Sequence, residues 1–323
     1  MIRATGQLSN RQDDNVTLKI GTTFPQTTIG KDPIAIRDFA QAIEGAGYDY
    51  LIAYEHIVGA DQSRFDEAGK FRPDNSGVTF TNDAPWHDLM TLFAFMSAHT
   101  TKLEFASSVV MLPQRQTVLA AKQMAELDIL SGGRCRFGVG IGWNFTEYEA
   151  LNEDWDTRTE KMEDQLVLLK RLWTEHTFTH QTKFHNLDRV GINPRPEKPL
   201  PIWYAGSARN VVLKRAAQFC DGWTSLLIPP EEPRMAVERL HKHLRDAGKD
   251  PANFGIEGRT SAISRETGAG PHELQGWKNS FRLWQELGAT HIGVSTYYLD
   301  KPASAVLDAA LDARAIMREE FGV

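Results

Sequence analysis

Short apolar runs alternate with helical stretches along this chain, eight of each, and no two apolar runs follow one another as a hairpin would require. The runs read as strands at Leu18–Phe24, Tyr50–Ala53, Leu103–Leu112, Cys135–Val139, Leu200–Ala205, Gly222–Leu227, Phe254–Ile263 and His291–Tyr297. Asp32-Pro33 opens the first helix as cap and first-turn proline, and Ile36, Phe39, Ala40 and Ile43 keep helical spacing up to Gly47. Further helices are expected over Pro85–His99, Val118–Leu130, Arg158–Glu175, Arg209–Phe219, Pro233–Ala247, His272–Leu287 and Ala303–Glu320. Alternation of this kind builds parallel sheet. Over 323 residues it favours an α/β fold of the (β/α)8 TIM-barrel type over an open doubly wound sheet.

Two polar segments do not fit the alternation. Gly59–Asp83 and Thr177–Lys198 are expected to be excursions that cover an opening rather than separate domains. Residues 1–17 read as a loose polar arm and 18–323 as one barrel domain. The net charge of −6 argues against nucleic acid or an anionic membrane as the main partner. The arm has no apolar signal-type core, no run is long enough to span a bilayer, and Cys135 and Cys220 sit in apolar contexts. These features suit reduced core thiols in a cytoplasmic protein.

A barrel gathers its chemistry at the C-terminal ends of its strands. Those ends supply Glu55 and His56, Ser107 and Ser108, Trp143 and Asn144, Gly206 and Ser207, Trp223, and Tyr297. Glu55-His56 is the one acid–base pair among them, and it reads either as catalytic or as a hydrogen-bonded rim. Gly138, Gly140 and Gly142 clear one face of a strand end, so that something flat can approach the backbone beside Trp143 and Asn144. Their spacing is not that of a dinucleotide fingerprint. Gly206-Ser207-Ala208 leads into a helix and suits a phosphate, or forms a plain capped turn. Trp143, Trp203, Trp223 and Tyr148 offer aromatic walls for a heteroaromatic ligand. Trp86 and His87 are candidate lip residues, and with Tyr148 and Tyr297 they are the expected substrate contacts. No metal-type spacing joins the histidines, and no metal site is expected.

The stretch from Leu112-Pro113-Gln114-Arg115 through Leu130-Ser131-Gly132-Gly133-Arg134 to Gly138-Val139-Gly140-Ile141-Gly142-Trp143-Asn144 and Glu147-Tyr148-Glu149 resembles the bacterial luciferase-like flavin monooxygenase superfamily. Gly45-Ala46-Gly47-Tyr48-Asp49, Glu55-His56, Pro201–Ser207 and Asp221-Gly222-Trp223 share the likeness, which runs from about Leu18 to Thr296. The resemblance implies a barrel with excursions and a reduced FMN or coenzyme F-420 lying across the strand ends. It implies a homodimer or higher homo-oligomer and, for FMN, a separate flavin reductase as partner. It further implies a cis peptide at Ser108-Val109 against the ring, His56 in acid–base work, and phosphate at Gly206, Ser207 and Ala208. Glu rather than Asp before His56 keeps both cofactors open, and with them oxygenation or hydride transfer on a small organic substrate. A non-catalytic flavin-binding barrel and, further off, a metal-dependent barrel hydrolase are the alternatives.

Overall fold

The computed structural model describes residues 18–68, 81–226, 232–262, 275–296 and 301–323. In chain order its strands are β1 (Lys19–Thr23), β2 (Tyr50–Ala53), β3 (Glu104–Ser107), β4 (Val110–Met111), β5 (Cys135–Gly140), β6 (Phe178–Gln181), β7 (Asn186–Val190), β8 (Ile202–Gly206), β9 (Gly222–Ser225), β10 (Gly255–Ser261) and β11 (His291–Ser295). The helices are α1 (Pro33–Gly45), α2 (Gln62–Ala68), α3 (Leu89–His99), α4 (Thr117–Ser131), α5 (Phe145–Ala150), α6 (Arg158–Thr174), α7 (Asn210–Phe219), α8 (Pro233–Asp246), α9 (Gln275–Glu286) and α10 (Ala303–Phe321). Strands run in the order β3-β2-β1-β11-β10-β9-β8-β5, all parallel, and β5 returns to β3 through Phe105↔Cys135 to close the barrel. The third expected strand is broken: Ser108 and Val109 leave the ladder, and β4 resumes it against β5 at Val110↔Val139.

Local signals place the helices. The Asp32 carboxylate accepts from Ile34 N–H at 2.9 Å ahead of Pro33. Gly132 ends α4 in the left-handed region at φ 74°, where a side chain would be strained. The helix expected from Pro85 starts at Leu89 instead, because Asp88 caps it by accepting from Thr91 N–H at 2.9 Å.

Period-two alternation divides every barrel strand between two environments. On β2, Leu51 and Ala53 join the large core between sheet and helices, while Tyr50 and Ile52 turn into the lumen with Ala106. The lumen is polar for much of its depth. Arg136 Nη1 meets Glu257 Oε2 at 2.5 Å, and Arg259 Nε meets the other Glu257 oxygen at 2.5 Å. The Arg136 guanidinium lies 4.2 Å from the Trp203 ring centroid and 4.9 Å from that of Tyr50. His291 closes the floor of the barrel beside Trp203.

The two excursions differ. The first begins with α2 and returns through an Ala60↔Thr81 bridge; residues 69–80 lie outside the described set. The second is an antiparallel hairpin, β6–β7, anchored to α6 and α4 by Asp164, Glu160 and Thr117. These anchors fasten it to α6 and to the start of α4. The expected arm over 1–17 and Tyr297 also fall outside the described residues. Among those described, no helix is long and apolar enough to cross a membrane.

Candidate active site

β2 delivers Tyr54, Glu55 and His56 to the barrel mouth. Gln26, just after β1, holds this exit: its amide donates to the Tyr54 carbonyl at 2.7 Å and accepts from the Tyr54 N–H. His56 is buried, and its Nδ1 lies 2.8 Å from Glu147 Oε1. Glu147 is 0% exposed and also accepts from Ile57 N–H at 3.2 Å and from the Gln114 amide at 3.0 Å. An ionised carboxylate only accepts, so Nδ1 carries the proton and donates it. Trp86 and Trp143 meet the imidazole at centroid distances of 4.8 and 6.0 Å. Phe65 of α2 rests 6.3 Å from Trp143 and 6.1 Å from Phe145, and Arg64 pairs with Glu149 at 2.6 Å. The first excursion thus starts as a cover on the mouth.

Glu55 is not the partner of His56. One of its oxygens accepts from Met111 N–H at 2.8 Å and the other pairs with Arg115, which also approaches Asp88 at 3.7 Å. Neighbouring residues of an extended segment point opposite ways, so the adjacent Glu and His face different partners. Glu55 holds the chain beyond the barrel's broken third strand.

The glycines of β5 also serve a purpose other than the expected one. The Ser108–Val109 peptide is cis, as the resemblance implies. A Cβ on Gly138 would strike the Ser107 carbonyl, one on Gly140 would come within 2.9 Å of Val109 Cγ2, and one on Gly142 within 2.7 Å of Met111 Sδ. The cleared face therefore receives the neighbouring chain around Ser108-Val109, and that bulge stands between the glycines and the mouth.

The model of the luciferase-like monooxygenase family matches residues 16–274. The chain belongs to that family. An uncharacterized protein of Mycobacterium tuberculosis is 30% identical over 210 residues, covering 65% of this chain and 71% of the relative. The FMNH2-dependent dimethylsulfone monooxygenase of Pseudomonas putida is 30% identical over 189 residues, 57% of this chain and 46% of that enzyme. Among solved structures, an F-420-dependent secondary alcohol dehydrogenase holding an F-420–acetone adduct superposes with a TM-score of 0.69 at 15% identity, covering 94% of this chain and 98% of that one. The last likeness shows the fold alone. The Pseudomonas putida relative is by its name FMNH2-dependent, and the mouth has features that suit a group of that kind. Thr23 Oγ1, Ser108 Oγ and Asn144 Nδ2 are buried there, at or just beyond the ends of β1, β3 and β5, with no hydrogen-bond partner among the described residues. Helix α7 opens behind Gly206-Ser207-Ala208 with no side-chain cap, leaving its first N–H groups to suit phosphate oxygens.

The other expected contacts fall in different parts of the barrel. Ser107 Oγ donates to the Gly138 carbonyl at 2.9 Å, inside the wall. Asn144 is fully buried and caps α5, accepting from Thr146 N–H at 3.1 Å. Trp223 is a correction. It is 0% exposed, donates to the Gly206 carbonyl at 3.2 Å and faces Trp284 of α9 at 6.4 Å, so it belongs to the layer between sheet and helices. Tyr148 is another, 1% exposed with its hydroxyl on the Ile141 carbonyl. Trp203 lies low in the lumen, beside His291. His87 reaches the Gly30 carbonyl at 2.9 Å, on the β1 side of the rim. Burial pushes the Cys135 and Cys220 thiols up to about 12, which leaves no thiolate nucleophile near neutrality.

Sequence reasoning missed Glu147, Gln114, Arg115, Gln26 and Phe65. One signal for Glu147 was present: Asn144-Phe145-Thr146-Glu147 has capping-box spacing, in which the acid ordinarily turns back to the cap N–H. Here it turns into the barrel mouth.

Proposed function

We propose that this protein is an oxidoreductase that carries a reduced flavin or F-420 across the barrel mouth and acts on a small organic molecule there. The observation that carries the reading is the buried His56–Glu147 pair, set between Trp86 and Trp143 beside the Ser108–Val109 bulge. When bound, the reduced cofactor supplies the electrons, to oxygen in the case of FMN or as hydride in the case of F-420. The protein supplies position and proton handling. Val109 and Ser108 would back the cofactor ring, Trp143 and Trp86 would form apolar walls, and the α7 terminus with Ser207 would hold phosphate. Glu147 keeps the proton on His56 Nδ1 and stabilises the imidazolium, so that Nε2 can take or give a proton at the substrate oxygen. Phe65, seated on Trp143, limits water at the mouth.

Dimethylsulfone and secondary alcohols, named in the relatives, are the first substrates to try. The His56→Ala variant tests the reading with either reduced cofactor. Turnover falls by about 10²–10⁴-fold, the usual worth of a positioned acid–base group, while cofactor affinity stays within a few-fold. Unchanged turnover removes His56 from the mechanism, and cofactor binding with no turnover on any substrate turns the reading to a non-catalytic flavin barrel.

A further inference from the structure

Between α6 and the β6–β7 hairpin, three side chains from separate elements point at one spot. His180 of β6 places Nε2 at 2.9 Å from one Asp164 oxygen, and His185, at the hairpin tip, places Nδ1 at 2.6 Å from the other. The donor atoms of all three lie within 4.8 Å of one another. We propose that Asp164, His180 and His185 bind one divalent transition-metal ion, zinc by the chemistry of the donors, which fastens the β6–β7 hairpin to α6.

Two imidazole nitrogens and one carboxylate oxygen form a borderline-soft set of the kind zinc takes, with a fourth position left for water. Zinc bonds of about 2.0–2.1 Å place tetrahedral donors about 3.3 Å apart. Each histidine stands within some tenths of an ångström of that spacing from a different Asp164 oxygen, so one oxygen serves both after a small turn of the carboxylate. The side chains are already fixed: His180 and His185 are each 10% exposed and Asp164 14%. His185 also has the outer contact a metal-binding imidazole needs, with its Nε2 2.6 Å from Thr117 Oγ1, which Gln165 holds in turn at 3.0 Å. Coordination puts the remaining His180 proton on Nδ1, so the 3.5 Å contact in which Arg171 Nη1 donates to that nitrogen is given up, while Nη1 keeps its bond to the Thr179 carbonyl at 3.0 Å. The Arg171 guanidinium is already turned to Glu175 through bonds of 2.7 and 3.0 Å.

The charge balance points the same way. Among the described residues no Lys or Arg pairs with Asp164; its partners are the two histidines and the Thr182 hydroxyl at 2.8 Å. The groove beside the spot is lined by Glu160, Glu163, Thr182 and Lys183, and its two glutamates are paired with Lys183 and Arg215, which leaves Asp164 as the carboxylate open to an ion. Spacing hid the cluster from sequence reasoning, since Asp164 stands 16 residues before His180 and 21 before His185.

The test is equilibrium dialysis of the full chain against zinc with a competing chelator, with bound metal counted by mass spectrometry. Native chain should retain one zinc, and zinc should raise its thermal midpoint. His180→Gln and His185→Gln should each weaken binding by at least the roughly 10–100-fold that loss of an outer partner costs, and should lose the zinc-dependent thermal shift. Cobalt(II) in the native chain should give the visible spectrum of a tetrahedral nitrogen–oxygen site, and this readout decides alone if the variants fail to fold. No retained zinc means a hydrogen-bonded clamp only and overturns the proposal. Full retention in both variants means an adventitious ion only and also overturns it, as does an octahedral cobalt spectrum.

Discussion

Glu147 accepts a hydrogen bond from His56 Nδ1, and in the proposed function that leaves Nε2 to face the substrate. Replacing that carboxylate by an amide, Glu147→Gln, offers the ring a donor as well as an acceptor, so the tautomer is no longer enforced. Turnover should fall on the order of 100-fold with cofactor affinity little changed, read from kcat against KM and from the binding isotherm. A parallel loss of affinity would instead make Glu147 a binding residue. His56 was legible in the sequence because it directly follows a short buried strand. Glu147 was not, because it lies 91 residues away and meets His56 only when the barrel closes. The glycines misled for a similar reason. Their missing side chains were plain, but whether the space serves a ligand or the next strand depends on a pairing seen only in three dimensions. Gly140→Ala pushes a methyl group to 2.9 Å from Val109 Cγ2 and should cost about 1–3 kcal/mol in urea unfolding. The double variant with Val109→Ala should recover part of that loss; no recovery would mean that the glycine is needed for another reason.

At the level of elements, period-two alternation decides what a strand-end aromatic can touch. Gly222, Trp223 and Thr224 alternate across β9, and the tryptophan falls on the helix-facing side, where Trp284 covers it. The residue's place near a strand end was visible in the sequence, but the face it takes depends on register, which a four-residue strand hardly reveals. Trp223→Phe removes the bond to Gly206 and part of the contact with Trp284. It should lower stability by about 1–3 kcal/mol and leave the absorbance of bound cofactor unmoved. A shifted cofactor spectrum would return Trp223 to the site. The second excursion shows the same limit. Its polar, irregular composition marked it as an insertion, but only the contacts of Asp164, Thr117 and Glu160 show that it is fastened to α6 and to the start of α4.

At the scale of the whole molecule, the alternation of strands and helices was enough to give the barrel, because parallel strands joined by helices have few ways to bury both faces. It gave no hint of a charged lumen. Burial first, then the nearby Arg136, holds the His291 imidazole down at about 3. A histidine depressed in the folded state binds fewer protons than in the unfolded chain between about pH 3 and the ordinary 6.5. Stability is therefore retained above that window and falls as the medium is acidified through it, by up to about 1.4 kcal/mol per pH unit from this group. His291→Gln should flatten the pH dependence of urea unfolding across that range; an unchanged slope would show that other groups set it. The central claim, that the mouth is a reduced-cofactor site, meets its most direct test in anaerobic titration of the chain with reduced FMN and reduced F-420 side by side. One of the two should bind saturably at one per chain, with an affinity that His56→Ala leaves within a few-fold. Failure of both to bind would contradict the account.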